Sequence, residues 1–223
     1  MRCCLRVAYL FLYNLVQFCG NTWIFANMTA RLFSFGADAV ADTFYFVGVV
    51  MSVCQLLSLL ELYHIADSLE GGMLLPRFVQ IVERNLLLFV VFVGQEEFQR
   101  KPIVCVQFYL WNIPQLLRYP YRLLSLISTP SGNLLWARYT LCIPVYILSV
   151  ISEGVSIWQA IPYFDYSMYA VQLDAPVPVF IRSSYVLIGY LLLLAVGSIV
   201  TVKFMVEERK HQLDDWNRKQ KKK

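Results

Sequence analysis

The fold class this sequence predicts is an all-α membrane protein, a six-transmembrane-helix bundle with both termini cytosolic. Three observations carry that reading. Of 223 residues, 58 % are hydrophobic and only 15 % charged, where soluble domains carry about a quarter charged residues. Apolar segments long enough for a hydrocarbon core of roughly 30 Å recur along the chain with short polar links between them. They fall at about 7–26, 44–65, 79–94, 103–117, 137–158 and 184–203. Finally, the basic residues divide unevenly between alternate links. With the N-terminus in the cytosol, fifteen of the nineteen Lys and Arg fall on the cytosolic side, leaving Arg31, Arg100, Lys101 and Arg182 opposite.

The first segment is longer than a signal-peptide core, contains polar residues and lacks a small-x-small cleavage site after it, so it reads as a retained helix. Asn14, Gln17 and Asn21 recur at intervals of three and four and share one face. That stripe reads as interhelical glue before it reads as a substrate contact. The second segment ends with Glu61 and His64, three residues apart, which suits a packing hydrogen bond at a helix end. Without a neighbouring Cys or a second His they make a poor metal site. The third and fourth segments are short. Glu83 and Arg84 lie inside the third, so its boundaries are the loosest of the set.

The fourth segment brings Trp111, Asn112 and Gln115 before Arg118, Tyr119 and Tyr121. The fifth brings Tyr146 and Glu153. Residues 159–183 are expected to be the longest non-helical piece, interrupted by Pro162, Pro176 and Pro178. Their aromatic residues Tyr163, Phe164, Tyr166 and Tyr169 suit a headgroup-level interface. The sixth segment completes a membrane domain, 1–206, followed by a basic cytosolic tail, 207–223. Lys219 and Lys221 in that tail have the spacing of a dilysine retrieval signal of the endoplasmic reticulum. A basic stretch lying near anionic lipid is the alternative.

Six cysteines do not imply a disulfide framework here, since this is not a small secreted chain. Those within spans read as packing residues, and Cys3 and Cys4 sit at a membrane edge where acylation is an alternative to the favoured reading of unmodified thiols. Asn27-Met28-Thr29 is a glycosylation sequon, but it lies too close to the membrane for much use. Membrane lipid is an expected partner and nucleic acid is not.

Polar groups inside a bundle turn toward neighbouring helices or a wet cavity. Tyr146 and Glu153 are seven residues apart, close to two turns, so they face the same way about 10 Å apart along the helix. Side chains reaching toward each other across that interval can hold a small reacting group. Arg118, Arg122 and Arg138 at one rim read equally as positive-inside markers or as a site for an anionic head group.

These residues carry a resemblance. Arg-Tyr-Thr-x5-Tyr-x6-Glu at 138–153, Trp-x6-Arg-Tyr at 111–119, Leu-Glu-x-x-His at 60–64 and the stretch from Gln80 to Arg84 resemble the very-long-chain 3-hydroxyacyl-CoA dehydratases, also called protein tyrosine phosphatase-like proteins. YLFLYNLVQFCGNTWIF, LLPRFVQIVER and the QEE that follows look most like the fourth, divergent mammalian branch. The resemblance implies a six-helix lyase of the endoplasmic reticulum membrane. Such an enzyme removes water from (3R)-3-hydroxyacyl-CoA to give trans-2-enoyl-CoA, the third step of fatty acid elongation.

The resemblance further implies catalysis by Tyr146 and Glu153, with Gln115, Arg118, Tyr119, Arg138 and Tyr139 near the substrate. It implies no metal or organic cofactor, and as partners the elongation condensing enzymes and an enoyl-CoA reductase. Dehydration needs a base beside the thioester and an acid at the departing hydroxyl. Glu153 at the hydroxyl and Tyr146 at the α-carbon is the preferred assignment, with the reverse open. A phosphatase is not supported, because no His-Cys with a phosphate-cradling loop is present.

The chain departs from that family's pattern at Ile147 and Ser149, where the family has Pro and Gly, and at Gln115, where it has an acid that would pair Arg118. These departures leave a second reading, a catalytically weak acyl-CoA-binding or scaffolding subunit of the elongation complex. A small transporter with a midplane carboxylate would show paired half-repeats and broken helices, and neither is evident.

Overall fold

The computed structural model describes residues 2–67, 69, 73–128, 131–166, 170–173 and 179–220. It gives backbone alone for 2–4, 165–166, 170–173, 179–184 and 220. The expectations placed on Pro176, Pro178, Tyr169 and Lys221, and on the side chains of Cys3, Cys4 and Tyr166, lie outside the described residues.

Helix α1 spans Arg2–Phe35 and stops where Gly36 takes φ of 57°, a conformation open to glycine and strained for other residues. A short α2 (Ala37–Ala41) leads into α3 (Thr43–Ser58) and α4 (Leu60–Ala66), which run on from each other with a break at Leu59. α5 (Leu74–Leu86) passes without interruption into a seven-residue π-helix, Leu87–Val93. The short α6 (Glu96–Gln99) then turns the chain into α7 (Pro102–Ile127). α8 (Gly132–Tyr166), an antiparallel hairpin of β1 (Ala170–Leu173) and β2 (Val179–Arg182), and α9 (Ser183–Gln220) complete the order.

Among the described residues, three helical stretches are long and apolar enough to cross a membrane: Thr43–Ala66, Gly132–Phe164 and Tyr185–Lys219. Only 17 % of the apolar window of the last is buried, so α9 lies at the periphery and turns most of its apolar surface outward. Tyr45, Val49, Leu148, Ile151, Trp158, Leu192, Val196 and Ile199 are all exposed, while Asn14, Gln17, Gln107, Asn112, Glu61, Glu83 and Glu153 are buried. An apolar exterior around a polar interior is the distribution that lipid imposes.

Two expectations are corrected. Residues 159–166 are helical: α8 continues through Pro162 to Tyr166. A proline forfeits one N–H bond and crowds one carbonyl. Here Ala160 and Phe164 are buried on either side of it, so packing holds the helix across the defect. The polar stripe of α1 is glue at one position only. Gln17 Nε2 donates to the Cys54 carbonyl at 3.1 Å, but Asn14 and Asn21 donate to carbonyls of their own helix. Residues 207–220 continue α9 without a break, and Arg209 Nε donates to Thr140 Oγ1 of α8 at 3.1 Å.

The apolar core sits at one end of the bundle, around Ile24, Met51, Phe92, Phe98, Phe108, Trp111 and Ile157. At the other end α1 begins, α7 ends, α8 begins and α9 ends. The charged interior and the cavities are there.

Candidate active site

Glu153 is 2 % exposed on α8 and is held by two helices. Its Oε1 accepts three hydrogen bonds: from Trp111 Nε1 at 2.9 Å, Ser149 Oγ at 3.0 Å and Gln107 Nε2 at 3.2 Å. Gln107 Nε2 also donates to Ser149 Oγ at 3.0 Å. Among the described residues Oε2 has no hydrogen-bond partner. The 3.6-residue period places Gln107 and Trp111 on one face of α7, and Ser149 one turn before Glu153 on α8. All the donors therefore converge on one oxygen and leave the other open.

Tyr146, two turns earlier on α8, is buried as well. Its hydroxyl donates to Glu83 Oε2 at 3.2 Å. Glu83 is 2 % exposed and its Oε1 has no partner among the described residues. Room for this carboxyl comes from α9, where a Cβ on Gly197 would lie 3.1 Å from Glu83 Oε1. Tyr190 of α9 donates to the Glu83 backbone carbonyl at 3.2 Å. Sequence reasoning treated Glu83 as an uncertainty of segment boundary. The signal that it belonged to the site was its charge inside an apolar stretch, which is costly in a membrane and rare without a use.

A cavity of about 140 Å³ opens beside Tyr146 and is lined by five arginines, Arg77, Arg84, Arg118, Arg122 and Arg138, against one lining carboxylate, Glu208. Gln115, Tyr139 and Tyr146 also line it. A second cavity of about 290 Å³ shares Arg122, Arg138 and Tyr139 with the first. Glu153 lies off the cavity wall, two turns beyond Tyr146, so the expected slot is open at the phenol and closed at the carboxyl.

Glu61 organises the arginines from behind the wall. It is fully buried and pairs with Arg77 Nη2 at 2.6 Å, Arg118 Nη2 at 2.7 Å and Arg122 Nη1 at 3.6 Å. It also accepts from Tyr119 Oη at 2.8 Å. Glu61 is the shared counter-ion of three guanidinium groups, and this corrects one reading. Arg118 has a carboxylate despite Gln115, because it is supplied from α4. Tyr119 points at Glu61 and does not line the cavity, whereas Gln115, Arg118, Arg138 and Tyr139 do. His64 hydrogen-bonds Tyr9 at 3.0 Å. Arg138 stacks over Tyr121 and Tyr139, at 4.2 and 4.9 Å from the ring centroids.

Residues 55–215 match the family described as protein tyrosine phosphatase-like protein, PTPLA. The chain belongs to the PTPLA family. The match takes in the Glu61 cluster, Glu83, the tryptophan on α7 and both polar groups of α8. Among its relatives, very-long-chain (3R)-3-hydroxyacyl-CoA dehydratase 4 of Homo sapiens is 46 % identical over 216 residues, covering 96 % of this chain and 92 % of that protein. The Mus musculus protein of the same name is 47 % identical over 213 residues, with 96 % and 91 % covered. Dehydratase 3 of Mus musculus is 38 % identical over 209 residues, 93 % of this chain and 58 % of that protein. No solved structure matches this PTPLA chain.

Proposed function

We propose that this chain is a very-long-chain (3R)-3-hydroxyacyl-CoA dehydratase, a hydro-lyase that forms trans-2-enoyl-CoA, with Tyr146 and Glu153 as its catalytic residues. The observation that carries the reading is a phenol at the inner end of an arginine-lined cavity, on the same helix face as a buried carboxyl with one oxygen left open. The relatives named for this reaction align over almost the whole chain. Three donors on Glu153 Oε1 leave Oε2 as the oxygen to carry a proton to the departing hydroxyl. Tyr146, whose own hydrogen points away to Glu83, presents lone pairs for the α-proton.

In the reaction the Cα–H bond breaks, its proton passes to the Tyr146 oxygen as the phenol gives up its own hydroxyl proton along its hydrogen bond to Glu83, its electron pair forms the Cα=Cβ bond, and the Cβ–O bond breaks. The leaving oxygen takes the proton of Glu153 and departs as water. The guanidinium groups of Arg84, Arg118 and Arg138 face the CoA phosphates, with planar charged donors suited to that partner. Acyl-chain binding opens the two turns between Tyr146 and Glu153. The chain crosses the endoplasmic reticulum membrane six times with both termini cytosolic, so the arginine end faces soluble acyl-CoA. It works beside the condensing enzymes and enoyl-CoA reductase of elongation.

Turnover of a long-chain (3R)-3-hydroxyacyl-CoA by the purified protein in lipid nanodiscs, followed by chromatography of the enoyl product, tests the reading. Tyr146→Phe and Glu153→Gln should each lower kcat by about 10²-fold or more. Variants that keep the parent rate would remove the site assignment. An inactive parent would leave the acyl-CoA-binding scaffold as the function.

A further inference from the structure

A neutral phenol cannot remove a proton and keep its own, so a tyrosine acting at the α-carbon needs an acceptor behind it. Among the described residues the carboxylate in contact with the Tyr146 hydroxyl is Glu83 Oε2, at 3.2 Å, and the buried Thr201 hydroxyl of α9 lies beside the same phenol. The two groups come from different helices, α8 and α5. Both are buried, and the second oxygen of Glu83 has no competing donor among the described residues. The carboxyl is enclosed on its far side by α9, where Gly197 leaves just the space it fills. Arg84, buried on the cavity wall next to it in sequence, and Glu153 are the charged groups that act on it.

We propose that Glu83 is a positioning residue for the reaction and the proton acceptor behind Tyr146. The inference rests on the dehydratase reading and on Tyr146 serving the α-carbon. Turnover starts from the form of the site in which Glu83 is ionised and Glu153 protonated: the Tyr146 oxygen takes the α-proton while its own hydroxyl proton passes to Glu83. The Cα–H electron pair becomes the double bond and Glu153 protonates the departing hydroxyl, so Glu83 ends protonated and Glu153 ionised. The site resets when that proton returns through Tyr146 and the newly formed water to Glu153, and no outside oxidant, reductant or base is consumed. The same hydrogen bond turns the phenol's lone pairs toward the cavity, which an unpartnered tyrosine would not hold.

The test compares Glu83→Gln, Glu83→Asp and Gly197→Ala with the parent. Gln preserves size and a carbonyl acceptor but cannot take a proton. It should lower kcat by about 10²-fold with KM changed less than about threefold. With substrate deuterated at C2, its isotope effect on kcat should exceed the parent's, because Cα–H cleavage has become slower. Glu83→Asp, which keeps a carboxyl one methylene further back, should recover part of the loss. Gly197→Ala pushes on Oε1 from 3.1 Å without altering the carboxyl and should lower kcat in the same direction.

Glu83→Gln turning over at the parent rate, or an unchanged isotope effect in a slow Glu83→Gln, would overturn the proposal. Activity lost in Tyr146→Phe but retained in Glu83→Gln would do so while leaving the dehydratase reading intact. An inactive parent would overturn both.

Discussion

The indole N–H of Trp111 on α7 donates to Oε1 of Glu153 on α8 over 2.9 Å, tying a buried carboxyl to a neighbouring helix. Trp111 is itself fully buried and packs against Phe92 and Phe108, so the donor is fixed by the apolar core it belongs to. In the proposed reaction, such rigid placement would let the carboxyl act without reorganising at each turnover.

Replacing that indole by phenyl keeps the aromatic packing and deletes one of three donors on Glu153. Trp111→Phe should cost about 1–3 kcal/mol of stability, from a hydrogen bond lost at a buried group. It should also lower kcat by about tenfold as the carboxyl gains freedom. Thermal unfolding in detergent and steady-state turnover measure the two effects. Unchanged kcat in a destabilised variant would make the bond purely structural.

Glu61 offers a sharper stability prediction. One carboxylate compensates three buried or half-buried guanidinium groups, and removing one member of such a cluster leaves charge without compensation in a low-dielectric interior. Glu61→Gln should destabilise the protein by about 3–5 kcal/mol. The check is a lower unfolding temperature and a lower folded yield from detergent. A variant as stable as the parent would mean that anions from solution already neutralise the arginines.

Part of this architecture was legible in the chain and part was not, for physical reasons. Helical class and membrane residence follow from composition and segment length, which act locally. The Tyr146 and Glu153 relation is also local, since a helix repeats every 3.6 residues and seven residues return to the same face. The Glu61 cluster is assembled from α4, α5 and α7, and the Glu83 contact joins residues 63 positions apart. No periodicity encodes such pairings. The π-helix after Leu86 was equally invisible, because its residues, Leu, Phe and Val, have no signature that separates five-residue from four-residue hydrogen bonding. Pro162 misled because a helix-breaker is judged by its own neighbours, whereas here burial on both sides decided the outcome.

The arginine-lined cavity predicts a separation between substrates. Arg138→Ala should raise KM for a 3-hydroxyacyl-CoA by about tenfold, roughly the loss of one charge-assisted hydrogen bond to phosphate. KM for the corresponding pantetheine thioester, which lacks the nucleotide phosphates, should stay within about twofold. kcat should change little for either. Equal effects on both thioesters would place this arginine against the acyl portion and not the nucleotide.

Ser149 decides how the departure from the family pattern should be weighed. A serine here donates to Glu153 Oε1 at 3.0 Å and accepts from Gln107 Nε2 at 3.0 Å, linking carboxyl and amide across α7 and α8. A glycine supplies neither bond and costs a membrane-buried helix about 1 kcal/mol of backbone entropy besides. Ser149→Ala removes the bonds alone and Ser149→Gly removes both contributions. If the hydroxyl steadies the carboxyl proposed as catalytic, both variants should lose kcat by about three- to tenfold, and the glycine variant should unfold at the lower temperature. A glycine variant faster than the parent would mean the opposite, that the chain has traded activity for a tighter hold on Glu153. Steady-state rates and unfolding temperatures of the two variants, measured side by side, separate these outcomes.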